Sequence, residues 1–362
     1  MKIDEKLLKK MALAIGGFIL LIIIIALITS CGRNKKYNFE DLEDRLIILT
    51  KNYYENNKNV LPKKGETTSI SAQHFVTDNK IKNLTLKTGE TCNGEITISN
   101  NNGYYLYIPK LTCNGISTKT LVEKLTESKN IVTTGSGLYK YDNVYIFKGE
   151  NLNNYISFAN KIWQIIRINS DGTLRIIDTT KGKSVTWDNR YNIEKKMKSG
   201  INDFVTNDIN SRIKDTLNKI YNNDKEFTDD NRAYFVKHDL CTGKRSINET
   251  INNGQIECSQ VIDDQIFGLI QANEYLLASL DPNCSSTLDI SCINYNYLAS
   301  SSSYTWTITA DADTSDKVYR ISSSLSLSLA SNSSAIKIVA HLNKDVLYSS
   351  GTGTLEDPYV IK

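Results

Sequence analysis

An excess of either charge is almost missing from this chain: 43 basic side chains face 40 acidic ones across 362 residues. Four of the bases and two of the acids (Lys2, Lys6, Lys9, Lys10, Asp4 and Glu5) lie before Cys31, so 39 bases and 38 acids follow it. A nucleic-acid binder needs a net basic face, and this balance argues against one. Histidine is scarce, with three residues, and the seven Cys are scattered without a C-x-x-C or a Cys/His cluster, which argues against a large metal site. The Gly-x-Ser-x-Gly elbow of one hydrolase class is also missing. What remains is ordinary for a globular protein: 40% hydrophobic and 23% charged residues, with length for about two domains.

One long apolar run stands out. Residues 11–30, MALAIGGFILLIIIIALITS, contain no charge, and a helix of that length spans ~30 Å, the thickness of a bilayer's hydrocarbon core. Lys9 and Lys10 precede it and Arg33, Lys35 and Lys36 follow, so flanking charge does not orient it. Three readings stay open. The first is a spanning helix with residues 1–10 as a cytoplasmic tail. The second is a lipoprotein signal, because Ile28-Thr29-Ser30-Cys31 resembles the bacterial lipobox and would make Cys31 the lipidated residue. The third is a buried helix. The first two place the rest of the chain outside the cytoplasm, attached to the membrane.

Six Cys follow Cys31. The even count suits an oxidising compartment, and sequence neighbours pair as Cys92–Cys113, Cys241–Cys258 and Cys284–Cys292. Each pair brackets a hairpin or a loop poor in apolar residues, where a crosslink helps most.

Periodicity predicts a helix over 39–56, with Phe39, Leu42, Leu46, Leu49 and Tyr53 on one face and Asn38 as its N-cap. A short helix near 72–79 follows, then two strands around Asn100-Asn101-Asn102-Gly103. We divide the remainder into a first domain (37–115), a connector (116–138) and a larger domain (139–362). In the larger domain, strands are expected at 144–147, 155–158, 162–168, 173–177, 266–270, 304–309, 318–321, 325–329, 335–342 and 346–348. Helices are expected at 209–221 and 273–278. The class is α+β with an antiparallel bias.

Candidate chemistry is sparse. Asp311, Asp313 and Asp316 put three carboxylates in six residues, a weak calcium candidate without the EF-hand Gly and Glu. Trp187, Asp188 and Arg190 form an aromatic flanked by polar groups, a ligand-binding candidate. Trp163 and Trp306 lie on apolar strands and read as core. In Leu325-Ser326-Leu327-Ser328-Leu329 the alternation places Leu inside and Ser outside. His238 neighbours Cys241, but a disulfide there leaves no thiolate. No catalytic residues and no cofactor are assigned.

The anchor, helix and small sheet over about 11–115 resemble type IV pilins and pseudopilins. Gly17-Phe18 opens an apolar run as a prepilin site does, but Ile22 stands where that site carries Glu, so processing and pilus assembly do not follow. The second half resembles uncharacterised extracytoplasmic proteins of low-GC Gram-positive bacteria. The matching pieces are Trp163-Gln164-Ile165-Ile166-Arg167-Ile168 with Asp171-Gly172, the run Phe267 to Tyr275, the run Val339 to Tyr348, and the tail Gly351-Thr352-Gly353-Thr354-Leu355-Glu356-Asp357-Pro358-Tyr359-Val360-Ile361. Such domains are similar to C-type-lectin-like and formylglycine-generating-enzyme-like folds; here Ile336-Lys337-Ile338-Val339 stands where those carry Val-Arg-Pro-Val. The expectation is a non-catalytic, membrane-anchored surface protein that binds a glycan, peptide or protein. A pseudopilin-like component of a secretion or pilus machine is the alternative, and a cell-envelope enzyme comes third.

The spanning and lipoprotein readings separate by mass. A spanning chain keeps residues 1–30 in the membrane-extracted protein. A lipoprotein begins at an acylated Cys31, and Cys31→Ser abolishes that product.

Overall fold

A computed structural model describes residues 36–180, 182–299 and 303–362. The tail 1–10, the apolar run 11–30, Cys31 and part of the serine run at 300–303 lie outside the described residues. Among the described residues no helix is long and apolar enough to cross a membrane. The chain is α+β and forms two units, one of the residues up to Ser99 with Tyr107–Thr118, the other of Asn100–Leu106 with Lys119–Lys362. The expected connector therefore divides between them.

The smaller unit holds helix α1 (Phe39–Asn56), strand β1 (Thr67–Ser71), helix α2 (Ala72–Thr77), strands β2 (Cys92–Asn101) and β3 (Tyr104–Cys113) apart from their hairpin tip at Asn100–Leu106, and strand β4 (Ile116–Ser117). α1 begins where expected: the Asn38 side chain accepts from Asp41 N at 2.7 Å, satisfying one of the orphan amides of the first turn. Leu42, Leu46 and Leu49 are buried against Phe75, Ile96 and Leu111. The sheet runs β1-β2-β3-β4. Asn102 and Gly103 both take positive φ, 60° and 98°, as the centre of a two-residue hairpin turn requires. Cys92–Cys113 clamps the hairpin's open end with Cα atoms 4.1 Å apart. Strand β1 is a correction: Thr67-Thr68-Ser69-Ile70-Ser71 has no apolar run to announce it, and it forms because its backbone pairs antiparallel with β2 from Thr67↔Ser99 to Ser71↔Glu95.

The larger unit opens with helix α3 (Leu121–Leu125) and strands β5 (Gly137–Tyr141), β6 (Val144–Lys148), β7 (Tyr155–Phe158), β8 (Lys161–Ile168), β9 (Leu174–Asp178) and β10 (Ser184–Thr186). Its middle carries β11 (Val205–Thr206), β12 (Ile209–Asn210), α4 (Arg212–Tyr221), α5 (Asp229–Arg232), β13 (His238–Cys241), β14 (Val261–Gln265), β15 (Phe267–Gly268) and α6 (Ala272–Ala278). Then come β16 (Thr305–Ala310), β17 (Lys317–Ile321), β18 (Leu325–Leu329), β19 (Ser333–Ala335), β20 (Val339–Leu342), β21 (Tyr348–Ser350) and β22 (Tyr359–Ile361). Among the described residues, nine strands form one sheet with the path β15-β20-β9-β8-β7-β22-β21, and β5 and β6 join at β8. Five form a second sheet, β10-β19-β16-β17-β18. Pairing is antiparallel except for β7 with β22 and β16 with β19.

Both faces of β8 and β9 are buried, as the apolar run of β8 implies. Simple alternation would put Ile162, Ile166 and Ile168 on one face and Trp163 and Ile165 on the other, and the structure corrects this. A register shift between Ile165 and Arg167 turns the strand over. Ile168 therefore packs with Trp163 and Ile165 in the main core, while Ile166 joins Ile177, Tyr275 and Val339 in the other. Trp163 and Trp306 are core residues, as expected. Elsewhere tertiary pairing overrides pattern. The expected helix at 209–221 starts only at Arg212, because Ser211 caps it and Ile209–Asn210 pairs with β11. The expected strand at 266–270 keeps only Phe267–Gly268, since the Ile270 carbonyl accepts from Ile308 N instead. In β18 Ser328 is buried while Leu327 and Leu329 are half-buried, so the alternation is not a clean one; the Asn332 amide donates to Ser328 Oγ. The expected strand at 335–342 breaks in two. Ala335 ends a strand of the five-stranded sheet and Val339 begins one of the nine-stranded sheet, so residues 336–338 cross between sheets.

The long irregular stretch from 242 to 299 is organised by a buried ion pair. Arg245 and Glu257 both have side chains with 0% exposure and meet at 3.1 Å. Arg245 Nε donates to Thr287 Oγ1 at 2.8 Å, and Nη2 donates to Ile251 O and Asn252 Oδ1. Its backbone N donates to Ala310 O, and its carbonyl accepts from the Tyr319 hydroxyl. Glu257 Oε1 also accepts from Asn273 N at the start of α6. Cys241–Cys258 and Cys284–Cys292, with Cα atoms 4.3 and 4.6 Å apart, tie the two loops this cluster joins. All three disulfides are the expected sequential pairs.

Burial pushes the Glu257 pKa up, against the pull of Arg245. Removing one partner of such a pair strands the other charge, so Arg245→Ala is expected to cost ~3–5 kcal/mol. Replacing both members with apolar residues (Arg245→Met with Glu257→Leu) is expected to recover part of the loss. Urea unfolding of the three chains measures both effects.

Candidate functional site

A cleft of about 470 Å³ in the larger unit is where strand ends, a helix end and the sheet crossover meet. Ligand pockets commonly have this size, with an apolar lining and a few placed polar groups. Its floor is Ile336 and Ile338, the crossover residues, with Val185 and Ile220 beside them. Its rim carries Lys161 at the start of β8, Asp178 at the end of β9, Lys183 before β10, and Lys219 in the last turn of α4.

Each feature has a local cause. The crossover is fixed by its carbonyls: Ile336 O accepts from Gly182 N at 2.8 Å, and Ile338 O accepts from Asp178 N, at the end of β9, at 2.9 Å. Gly182 is needed for this contact: a Cβ there would stand 2.8 Å from Ile336 Cγ1 and 3.1 Å from Ile336 O. Asp178 is buried and accepts from Thr180 N at 2.7 Å. Lys161 Nζ lies 3.4 Å from Asp178 and 3.3 Å from Glu226, so one ammonium is shared by both carboxylates. Lys183 and Lys219 are exposed and make no ion pair among the described residues. The cleft therefore presents two uncommitted cations above an aliphatic floor. It suits a ligand with carboxylates and aliphatic side chains.

A second concavity of about 450 Å³ is built by the C-terminal tail. Gly353 (φ +82°) lies against the Tyr359 ring, where a Cβ would stand 2.3 Å from Cε2, and Tyr348 meets Tyr359 edge-on at 6.0 Å. Lys124 Nζ covers the Tyr348 ring at 5.1 Å. Glu127 gathers Lys119 and Lys129, whose hydrogen bonds lower its carboxyl pKa to about 2.

The residues singled out from sequence lie elsewhere. Trp187 has 0% exposure; its indole N–H donates to Thr307 O at 3.1 Å and its ring tilts against Phe204. Asp188 is buried too, holding Arg190 Nε at 2.6 Å and Arg190 N at 2.8 Å. Trp187, Asp188 and Arg190 are therefore corrected from ligand platform to loop lock: the polar flanks cap a buried ring and leave it no free face. The calcium candidate is corrected as well. Asp311 accepts from Thr314 Oγ1 and Asp313 N, Asp313 accepts from Ser246 Oγ, and Asp316 is buried with its carbonyl taking Ala330 N. Among the described residues no three acidic, His or Cys side chains group to hold a metal.

Sequence reasoning missed a buried cluster beneath β8 and β9. Arg175 makes a two-point ion pair with Glu274 of α6, by Nε and, at 2.9 Å, by Nη2, and Arg167 joins at 3.4 Å. The signal was there: Arg175 is the one charge in Leu174-Arg175-Ile176-Ile177. Burial works against ionisation of Glu274, yet Arg175 and Arg167 hold its pKa below the ordinary carboxylate value. Arg175 Nη1 lies 3.4 Å from His341 Nε2, and since Arg only donates, that nitrogen accepts and His341 is neutral. The His238 ring stacks on it at 4.0 Å, its Nδ1 donating to Asp239 O. Cys241, on the same strand as His238, is in a disulfide.

No family model, curated protein or solved structure matches the chain.

Burial, then the charges of Arg175, His238 and Arg167, push the His341 pKa well below its usual value. The unfolded chain binds that proton near pH ~6.5 while the folded chain resists it, so stability is full above this pH and falls below it. The expected slope is at most ~1.4 kcal/mol per pH unit. His341→Gln should flatten unfolding free energy between pH ~6.5 and ~5 in a denaturant titration.

Proposed function

We propose that the chain is a membrane-anchored, extracytoplasmic binding protein without catalytic chemistry, and that its larger unit holds an acidic, aliphatic peptide segment in the Lys183–Lys219 cleft. The observation that carries the reading is the pairing of two uncommitted lysines with the Ile336–Ile338 floor. Three disulfides support an extracellular setting. A binding rather than a catalytic role is supported by where the reactive groups go: Asp178 and Glu226 are both engaged by Lys161, and Cys241 is crosslinked beside His238.

The anchor is the apolar run at 11–30, as a spanning helix or, through Cys31, a lipid. The smaller unit, a helix beside an antiparallel sheet, is read as a pilin-like stalk. The larger unit is read as a C-type-lectin-like domain of the low-GC Gram-positive surface family, displaying its cleft to a partner. The same helix and sheet favour the second reading, a pseudopilin-like component, for which co-purification with a pilus ATPase or platform protein is the expected sign.

The test uses the full chain in detergent and fluorescence polarisation with labelled peptide pools. A pool rich in Asp, Glu, Leu and Ile should bind, and its Lys/Arg counterpart should not. Lys183→Glu with Lys219→Glu should weaken binding by about tenfold or more, since each reversal replaces an attraction with a repulsion in a half-desolvated site. Unchanged binding by the double variant, or binding only to surface glycans, would overturn the peptide reading.

A further inference from the structure

A finger of chain from Arg190 to Gly200 reverses ordinary burial. Its base is clamped. Asn192 N donates to Met197 O at 2.8 Å, and Met197 N returns to Asn192 O at 3.3 Å. The buried Asn192 side chain donates to Gly200 O at 2.8 Å and Ser315 O at 3.1 Å, and accepts from Lys195 N. Gly200, at φ +88°, lies so close to Asp188 O that a Cβ would stand 2.5 Å away. Asp188 in turn fixes Arg190.

What this base holds out is apolar. Ile193 is 82% exposed, Tyr191 54% and Met197 53%. Lys195, Lys196 and Lys198 surround them, exposed and without an ion pair among the described residues, and Glu194 is the single acid between Tyr191 and Lys198. A solvated loop has no use for three large apolar side chains on a rigid tip, and a buried one would not carry three lysines.

We propose that this finger inserts shallowly into a bilayer surface bearing anionic phospholipid. Apolar tips that enter the boundary between headgroups and acyl chains, with lysines left at the phosphates, match the composition of interfacial membrane binders. A protein partner fits less well. Stable protein interfaces bury ~1,200–2,000 Å², whereas three side chains on a convex turn offer roughly a few hundred. The preformed base means that little chain entropy is lost on insertion. This inference is independent of the peptide cleft.

The test is carried out on the full chain reconstituted in vesicles, with Ile193→Trp as the reporter. The native Trp163, Trp187 and Trp306 are buried and contribute a constant background. In vesicles containing phosphatidylglycerol and brominated lipid, emission from the new indole should shift to the blue and be quenched. In phosphatidylcholine vesicles alone it should stay that of a water-exposed indole. Adding Lys195→Glu, Lys196→Glu and Lys198→Glu should reduce the quenched fraction by about tenfold or more, with the thermal midpoint unchanged as the control for folding. Water-like emission in both vesicle types, equal quenching with and without anionic lipid, or a blue shift that tracks protein concentration without lipid would each overturn the proposal, the last in favour of a second copy of the chain.

Discussion

The Arg245–Glu257 pair is the constraint on which the irregular half of the larger unit depends. Two ions without solvent contact are costly unless the groups around them are engaged, and here every Arg245 nitrogen and Glu257 Oε1 have a partner while Glu257 Oε2 has none. The Arg245 side chain engages four groups, three in the loop 251–257 and one on Thr287, and its backbone engages two more, Ala310 O and the Tyr319 hydroxyl. Polar, Asn-rich loops that could not order themselves by apolar burial are thereby fixed to the five-stranded sheet. The two local disulfides shorten the excursions these loops can make, and the ion pair decides where they dock.

A second buried cluster does comparable work at the nine-stranded sheet. Arg175 and Arg167 reach from β9 and β8 to Glu274 and so tie α6 to the strands. Burial, helped by the same arginines, keeps His341 neutral. Neither cluster opens onto the large cleft. The cleft owes its shape to a different event, the passage of residues 336–338 from one sheet to the other. That passage exposes an aliphatic floor and leaves two carbonyls to be taken by the strap at Gly182 and by Asp178.

Local patterns in the sequence carried much of this. The helix at Phe39–Asn56 and its Asn38 cap follow from spacing and capping chemistry alone, and the strands Tyr155–Phe158 and Leu325–Leu329 from short apolar or alternating runs. The sequential disulfides were legible because Cys92 and Cys113 flank a hairpin signal and the other two pairs bracket short or polar loops. What was not legible depends on partners distant in sequence. The edge strand at Thr67–Ser71 exists only by pairing with β2. The bulge at Ile165–Arg167 is set by β9. The break in the apolar run 335–342 is forced by two sheets competing for it. The ligand platform read at Trp187 failed for a related reason: polar neighbours mark an aromatic that needs capping as readily as one that meets a ligand. The cleft lysines carry no local signal at all, because Lys183 and Lys219 are unremarkable on a strap and a helix end until the fold sets them over Ile336.

The proposed recognition site is thus one made by topology, in a unit whose other parts are tied together by two buried ion clusters. Backbone hydrogen exchange on the full chain, with and without the acidic, aliphatic peptide pool, locates binding most directly. The account predicts slowed exchange confined to residues 182–186 and 216–226. Slowing confined instead to 151–153 and 348–353, or no slowing anywhere at saturating peptide, would contradict it.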